Sequence, residues 1–215
     1  MIGFDEQKKI FQLIGNLCER KIECLVVGGS AMLFYNFKSA TKDVDLIFQT
    51  EGDRKHIEKI LLGLKFMKSV EESSKEDRFL PSRFERDEFI FDLFAGGIFR
   101  FKISPGIKER ITEKVEFKNL IISVVSPEDI ILLKSVTDRK GDRLDAASII
   151  ERINVKWDLI IQECLWQSEN SYRPFGIHLF DFFEDLEDNF KVSVPKDVRK
   201  KITQIMEKQL QKFTK

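Results

Sequence analysis

The sequence predicts an α+β protein, a mixed β-sheet flanked by helices and followed by a C-terminal helical bundle. Three observations predict it. Before residue 126, short apolar and β-branched runs alternate with segments of helical periodicity. From Ser126-Pro127-Glu128-Asp129 onward only helical periodicity remains. The composition is that of a folded globular chain, with 215 residues, 42% apolar and 33% charged, and twenty phenylalanines to fill a core. Two domains are therefore expected, residues 1–125 and 126–215.

The elements follow in order. Phe4, Ile10, Phe11, Ile14 and Leu17 recur near helical spacing over residues 4–20. Cys24–Val27 reads as a buried strand, and Gly28–Ser30 as a turn into a helix over about 30–37. Lys42–Phe48 reads as the second strand. Ile57, Ile60, Leu61 and Leu64 share one side of a helix at about 53–64. Residues 70–77 are polar and loop-like, and Arg78–Phe84 and Glu88–Phe94 read as strands joined by a charged turn, Glu85–Asp87. Ala95-Gly96-Gly97 breaks the chain, and residues 113–125 read as more β-structure. Ser126 suits a helix cap, Pro127 the first helical position, and the two acids the positive end of the helix dipole. Helices are expected at about 127–138, 142–153, 156–167, 175–189 and 195–213.

Charge and cysteine content narrow the function classes. Lys+Arg and Asp+Glu are both 36, so no global field points to nucleic acid. The segment 191–215 carries a local excess of +6, beside five acids in 181–190. It reads as a solvated helix face, with an RNA-binding or interaction surface as the functional reading. Cys18, Cys24 and Cys164 are scattered and odd in number, which suits a reducing compartment and neither disulfides nor a zinc site. No signal peptide or apolar run of membrane-spanning length is present, so a cytoplasmic location is expected.

The chemistry is concentrated in LVVGGSAMLFYNFKSATKDVDLIF, residues 25–48. Asp43 and Asp45 are two apart on a predicted strand, so both point to one face, roughly 7 Å apart at Cα. Carboxylates so placed repel unless a cation sits between them, and a hard divalent ion such as Mg²⁺ is the usual solution. Asp92 stands inside Phe89-Ile90-Phe91-Asp92-Leu93-Phe94, where an unpaired carboxylate would be costly. If that strand lies beside Asp43–Phe48, three carboxylates share one face, as in sites for displacement at phosphorus. Gly28 and Gly29 let a ligand approach the backbone, and Ser30 adds a hydroxyl at a helix start, which suits a phosphate.

Strand, GGS, helix, a strand with DVDL and a later strand with FDLF together resemble the nucleotidyltransferase superfamily related to DNA polymerase beta. The likeness is to its minimal nucleotidyltransferases and abortive-infection-type toxin transferases. It implies that Gly28, Gly29 and Ser30, with Thr41 and Lys42, hold a nucleoside triphosphate. It implies that Asp43 and Asp45 bind Mg²⁺ or Mn²⁺, and that Asp92 is a third ligand or the base for an acceptor hydroxyl. The implied reaction moves a nucleotidyl group to a hydroxyl on RNA such as tRNA, a protein or a small molecule, with a cognate toxin or antitoxin as a further partner. Residues 124–150 resemble the toxin-type members in a helix carrying Lys134, expected to reach the triphosphate, followed by Asp142 and Asp145 at the next helix start. Relatives often carry Gly and Arg before the aspartates. Here those places read Asn36 and Ser39, with Lys38 or Lys42 as substitute cations. The alternative is a chain of the same fold without catalysis, acting as a binding or antitoxin module. Arg173 and His178 match R-x4-H, a spacing of helical nucleases, but read as part of a helix-connecting turn.

Overall fold

The computed structural model describes residues 1–69, 80–98, 100–171 and 173–213. The polar loop expected at 70–77, and the start of the strand expected from Arg78, lie outside them. The chain divides into two compact units, residues 1–99 with 108–125, and residues 100–107 with 126–215.

The first unit begins with β1 (Ile2–Gly3), α1 (Phe4–Leu17), β2 (Ile22–Val27), α2 (Gly28–Phe34), β3 (Ala40–Thr41), β4 (Val44–Phe48) and α3 (Glu51–Gly63). It continues with β5 (Met67–Lys68), β6 (Ser82–Arg86), β7 (Phe89–Ala95) and β8 (Gly97–Ile98). After β9 (Phe101–Lys102) and α4 (Pro105–Glu109), β10 (Glu113–Phe117) and β11 (Leu120–Val124) complete it. Seven strands form one mixed sheet in the order β10-β11-β2-β4-β7-β6-β5, in which β11 with β2 and β4 with β7 run parallel. The central strands β2, β4 and β7 are apolar because both of their faces are largely covered: Val26, Val44, Leu46, Phe48, Phe91 and Leu93 are buried on one face, and Leu25, Val27, Ile47 and Phe94 on the other. α1 closes against the β10–β11 hairpin, where Phe11 meets Phe117 at 5.6 Å between ring centroids. Gly15 is the contact point, since a Cβ there would lie 1.7 Å from the Phe117 carbonyl oxygen.

Boundaries differ from the sequence reading where local contacts decide them. α3 starts at Glu51 because the Thr50 hydroxyl accepts the Asp53 amide and caps it. The β6–β7 turn lies at Asp87–Glu88, with Glu85 and Arg86 of the expected turn taken into β6 and Asp87 at φ 54°.

The second unit holds α5 (Pro127–Lys134), α6 (Lys140–Arg152), α7 (Trp157–Asn170), α8 (Phe175–Phe190) and α9 (Lys196–Phe213). Ser126 caps α5 by accepting the Asp129 amide while its hydroxyl donates to the Asp129 carboxylate at 2.7 Å. Phe175, Leu179, Phe182, Phe183 and Leu186 of α8 fill the centre. Residues 100–107 are stitched to α7 by a buried amide: Gln167 donates to the Lys102 carbonyl and accepts the Lys102 amide, at 2.7 and 2.9 Å. The Ser104 hydroxyl donates to Glu163 at 2.8 Å. The three cysteines are buried and unbonded to one another. Among the described residues no helix is long and apolar enough to cross a membrane.

Candidate functional site

The site is built on the register of three strands. Asp45 on β4 pairs directly with Asp92 on β7, and Asp92 with Arg83 on β6. On its other side Asp45 pairs with Val27, the residue before the glycine turn. Residues paired across adjacent strands point to the same face. Arg83, Asp92 and Asp45 therefore form one row that runs on to Val27, just before Gly28. Asp92 is buried, while Asp43, just ahead of β4, and Asp45 are half-buried.

The glycines are required by close approach. Gly28 has φ +61°, and a Cβ on it would lie 2.6 Å from Oδ2 of Asp45. A Cβ on Gly29 would lie 2.4 Å from the Thr41 hydroxyl and 3.9 Å from Nζ of Lys38. The turn thus holds backbone beside the Asp45 carboxylate, with the Lys38 ammonium at its edge. Ser30 links the turn to the strand that carries the aspartates. It is fully buried, and its hydroxyl donates to the Asp43 carbonyl at 3.1 Å, clipping the strand entrance to α2. Thr41 is buried and donates to the same carbonyl at 3.3 Å, whereas Lys42 is exposed.

The departures from the family pattern have a physical account. Asn36 stands at φ 57°, the left-handed conformation that glycine adopts freely and asparagine tolerates better than most residues. Where an arginine is absent at Ser39, Lys38 brings a cation to the turn.

Sequence reading missed Arg83. Its Nη1 lies 3.7 Å from Oδ2 of Asp92 and its Nε 3.0 Å from Oε1 of Glu85. Partial burial opposes its charge, but Asp92, Glu85 and Asp43 outweigh that and hold its pKa above the ordinary value. One signal was available: a two-residue turn at Asp87-Glu88 places Arg83 opposite Asp92 by counting back along the hairpin.

Among the described residues no three His, Cys, Asp or Glu side chains close up into a ligand set for an ion. The donor chemistry nevertheless fits a hard cation. Three carboxylates belong to one neighbourhood, since Asp45 and Asp92 are in register and Asp43 and Asp92 both act on Arg83. A cationic guanidinium already sits against one of them.

Lys134 has its partners within the second unit. Its buried ammonium donates to Asp142 at 2.8 Å and to Asp145 at 2.7 Å. Asp142 stands in the first turn of α6, whose N-cap position is Arg139. Burial pushes the Asp142 carboxyl up, but Lys134, Thr137 and Arg139 outweigh it and hold it below its ordinary range.

Arg173, in the turn between α7 and α8 as expected, and His178, in the first turn of α8, come together, with Arg173 Nε donating to His178 Nε2 at 3.1 Å. That bond needs an unprotonated Nε2. Burial and the Arg173 charge lower the His178 pKa, with Asp138 and Asp181 opposing them. The unfolded imidazole therefore takes its proton at higher pH than the folded one, and stability falls as pH drops below about 6.5. Urea denaturation between pH 5 and 7.5 is expected to show a shallower pH dependence in His178→Gln than in the wild type. Equal slopes would remove His178 as the cause.

A family model described as nucleotidyltransferase of unknown function (DUF6036) matches residues 6–186. No curated protein matches the chain significantly. Among solved structures, an antigenic nucleotidyltransferase-like protein from Paracoccidioides brasiliensis aligns at 16% identity over 90% of this chain and 95% of that one, with a TM-score of 0.44.

Proposed function

Because the chain belongs to the DUF6036 family of nucleotidyltransferases of unknown function, we propose that it moves a nucleotidyl group from a nucleoside triphosphate to a hydroxyl acceptor on RNA, a protein or a small molecule. The observation that carries this reading is the direct pairing of Asp45 with Asp92 on one sheet face, beside a glycine turn whose backbone lies against the Asp45 carboxylate.

Asp43, Asp45 and Asp92 are the residues that would hold Mg²⁺ or Mn²⁺. Such an ion supplies charge neutralisation at the reacting phosphate and a lower pKa for the attacking hydroxyl. The Gly28-Gly29 turn offers backbone with no side chain in the way, so a triphosphate can lie close to it. Lys38 adds a point charge at that edge. The acceptor oxygen bonds to the α-phosphorus as the bond to the bridging oxygen breaks, and pyrophosphate leaves. Asp92, the most buried of the three carboxylates, is the candidate to take the acceptor's proton if it is not fully engaged as a ligand.

A second reading is a binding module of the same fold. It is favoured by the burial of Ser30, whose hydroxyl serves Asp43 instead of facing a ligand. Thermal unfolding with each of the four nucleoside triphosphates plus Mg²⁺ separates the readings. The transferase reading expects at least one to raise Tm by several degrees, as ligand concentrations of about 100 Kd stabilise by about 2.7 kcal/mol. The shift should disappear in Asp45→Asn. No shift with any nucleotide would sink the transferase reading.

A further inference from the structure

Arg83 is a cation inside the carboxylate group that the proposed reaction does not employ. It occupies the next place in the row after Asp45 and Asp92, on the same face. Its hold on Asp92 is an ion pair at 3.7 Å, looser than the 2.7–2.9 Å charge-assisted bonds of a fitted arginine–carboxylate fork. Its firmer bond, 3.0 Å, goes to Glu85, whose side chain is 46% exposed and can follow it outward. The Arg83 side chain is itself 30% exposed, so its head can leave Asp92 without unpacking the sheet.

Two cations compete for one carboxylate when a divalent ion approaches Asp92. A nucleoside triphosphate arriving with that ion brings several negative oxygens to the same face. A guanidinium is weakly hydrated and presents a planar set of donors suited to phosphate.

We propose that Arg83 is an exchangeable counter-ion. In the free protein it neutralises Asp92. When a divalent ion takes the carboxylates, the guanidinium transfers to the triphosphate of the incoming nucleotide. Arg83 is thus a nucleotide-binding residue that also opposes binding of metal alone. The inference rests on the nucleotide-binding reading of this site.

Two titrations test it. The first follows Mn²⁺ alone by electron paramagnetic resonance. The second follows α,β-methylene nucleoside triphosphates with saturating Mg²⁺ by calorimetry. Arg83→Gln is expected to bind Mn²⁺ about tenfold more tightly than wild type, and nucleotide about tenfold more weakly. Arg83→Lys keeps a charge against Asp92 but lacks the planar fork. It should show near-normal Mn²⁺ affinity with weakened nucleotide binding, and it serves if the glutamine variant does not fold. Unchanged nucleotide affinity in a folded variant would make Arg83 a structural partner of Asp92 and overturn the proposal. Weaker Mn²⁺ binding in Arg83→Gln would overturn it too, because a competitor has been removed. If the wild type binds neither Mn²⁺ nor nucleotide, the site reading itself fails and this inference goes with it.

Discussion

Replacing Gly15 by alanine is expected to destabilise the protein by about 3 kcal/mol or more, a large share of the roughly 5–15 kcal/mol that holds a typical domain folded. In an isolated helix the same change would stabilise by about 1 kcal/mol. The tertiary setting reverses the sign. The new Cβ would stand 1.7 Å from the Phe117 carbonyl oxygen, 2.9 Å from its carbonyl carbon and 3.2 Å from Cβ of Leu120. Two of these are backbone atoms at the β10–β11 turn, held by the ladder that joins the two strands. Neither can rotate aside, so α1 must lift away. Lifting it would also disturb the bond from the Asn119 side chain to the Cys18 carbonyl, 2.7 Å, and the Phe11–Phe117 contact. Gly63→Ala is the control, because a Cβ there meets nothing within 4 Å. It should be neutral or slightly stabilising. Urea denaturation of both variants checks the pair, and a Gly15→Ala protein as stable as wild type would contradict the close packing of α1.

Lys134→Met is expected to cost about 3–5 kcal/mol at neutral pH, as measured when one partner of a buried ion pair is removed. The ammonium is 7% exposed and separates two carboxylates that are themselves 9% and 14% exposed. Without it, Asp142 and Asp145 face each other across a site with little water. Arg139 and Thr137 still serve Asp142, but Arg139 is 72% exposed and screened. The pH dependence gives the mechanism away. In the wild type the folded pKa of Asp142 is lowered, so its contribution is present above the ordinary carboxylate range and lost as pH falls. In the variant, like-charge repulsion raises the carboxylate pKa, so protonation relieves the defect. The gap between wild type and variant should therefore narrow from pH 8 to pH 4. A gap that stays constant would point to lost packing of the lysine stem, and one under about 1 kcal/mol would contradict the ion triad.

Different parts of the molecule were legible in the sequence for different physical reasons. Asp43, Asp45 and Asp92 stood out because carboxylates are costly in apolar strands, and strand order then placed two of them in register. The start of α5 was legible because Ser, Pro and Asp each act within one helical turn. Gly15 was not, because a glycine in a helical pattern states only its own weakness and not what presses against it. Arg83 was missed because hairpin register depends on the turn, and a one-residue shift turns a side chain to the other face. Lys134, Asp142 and Asp145 were recognisable as charged groups at helical spacing. Whether they serve a ligand or one another is fixed by how α5 meets α6, which no local pattern encodes. Asn36 read as a loss until its backbone angle showed the position to be one that asparagine accepts.

The stitching of residues 100–107 to α7 has a consequence for how the chain is made. The amide pair between Lys102 and Gln167 joins positions 65 apart in sequence. At about 5–20 residues per second on the ribosome, the first partner waits roughly 3–13 s for the second. Throughout that interval β10 and β11 are being synthesised and can complete the sheet, while Lys102 has no Gln167 to bond and Phe101, buried in the finished protein, has no Phe175 ring to pack against. Residues 100–107 belong to the second unit but are made before the rest of it, so they wait as an apolar loop whose partners have not yet been synthesised. A chain ended after residue 125 would keep that loop uncovered permanently, which makes nascent chains of this length the ones most in need of a chaperone.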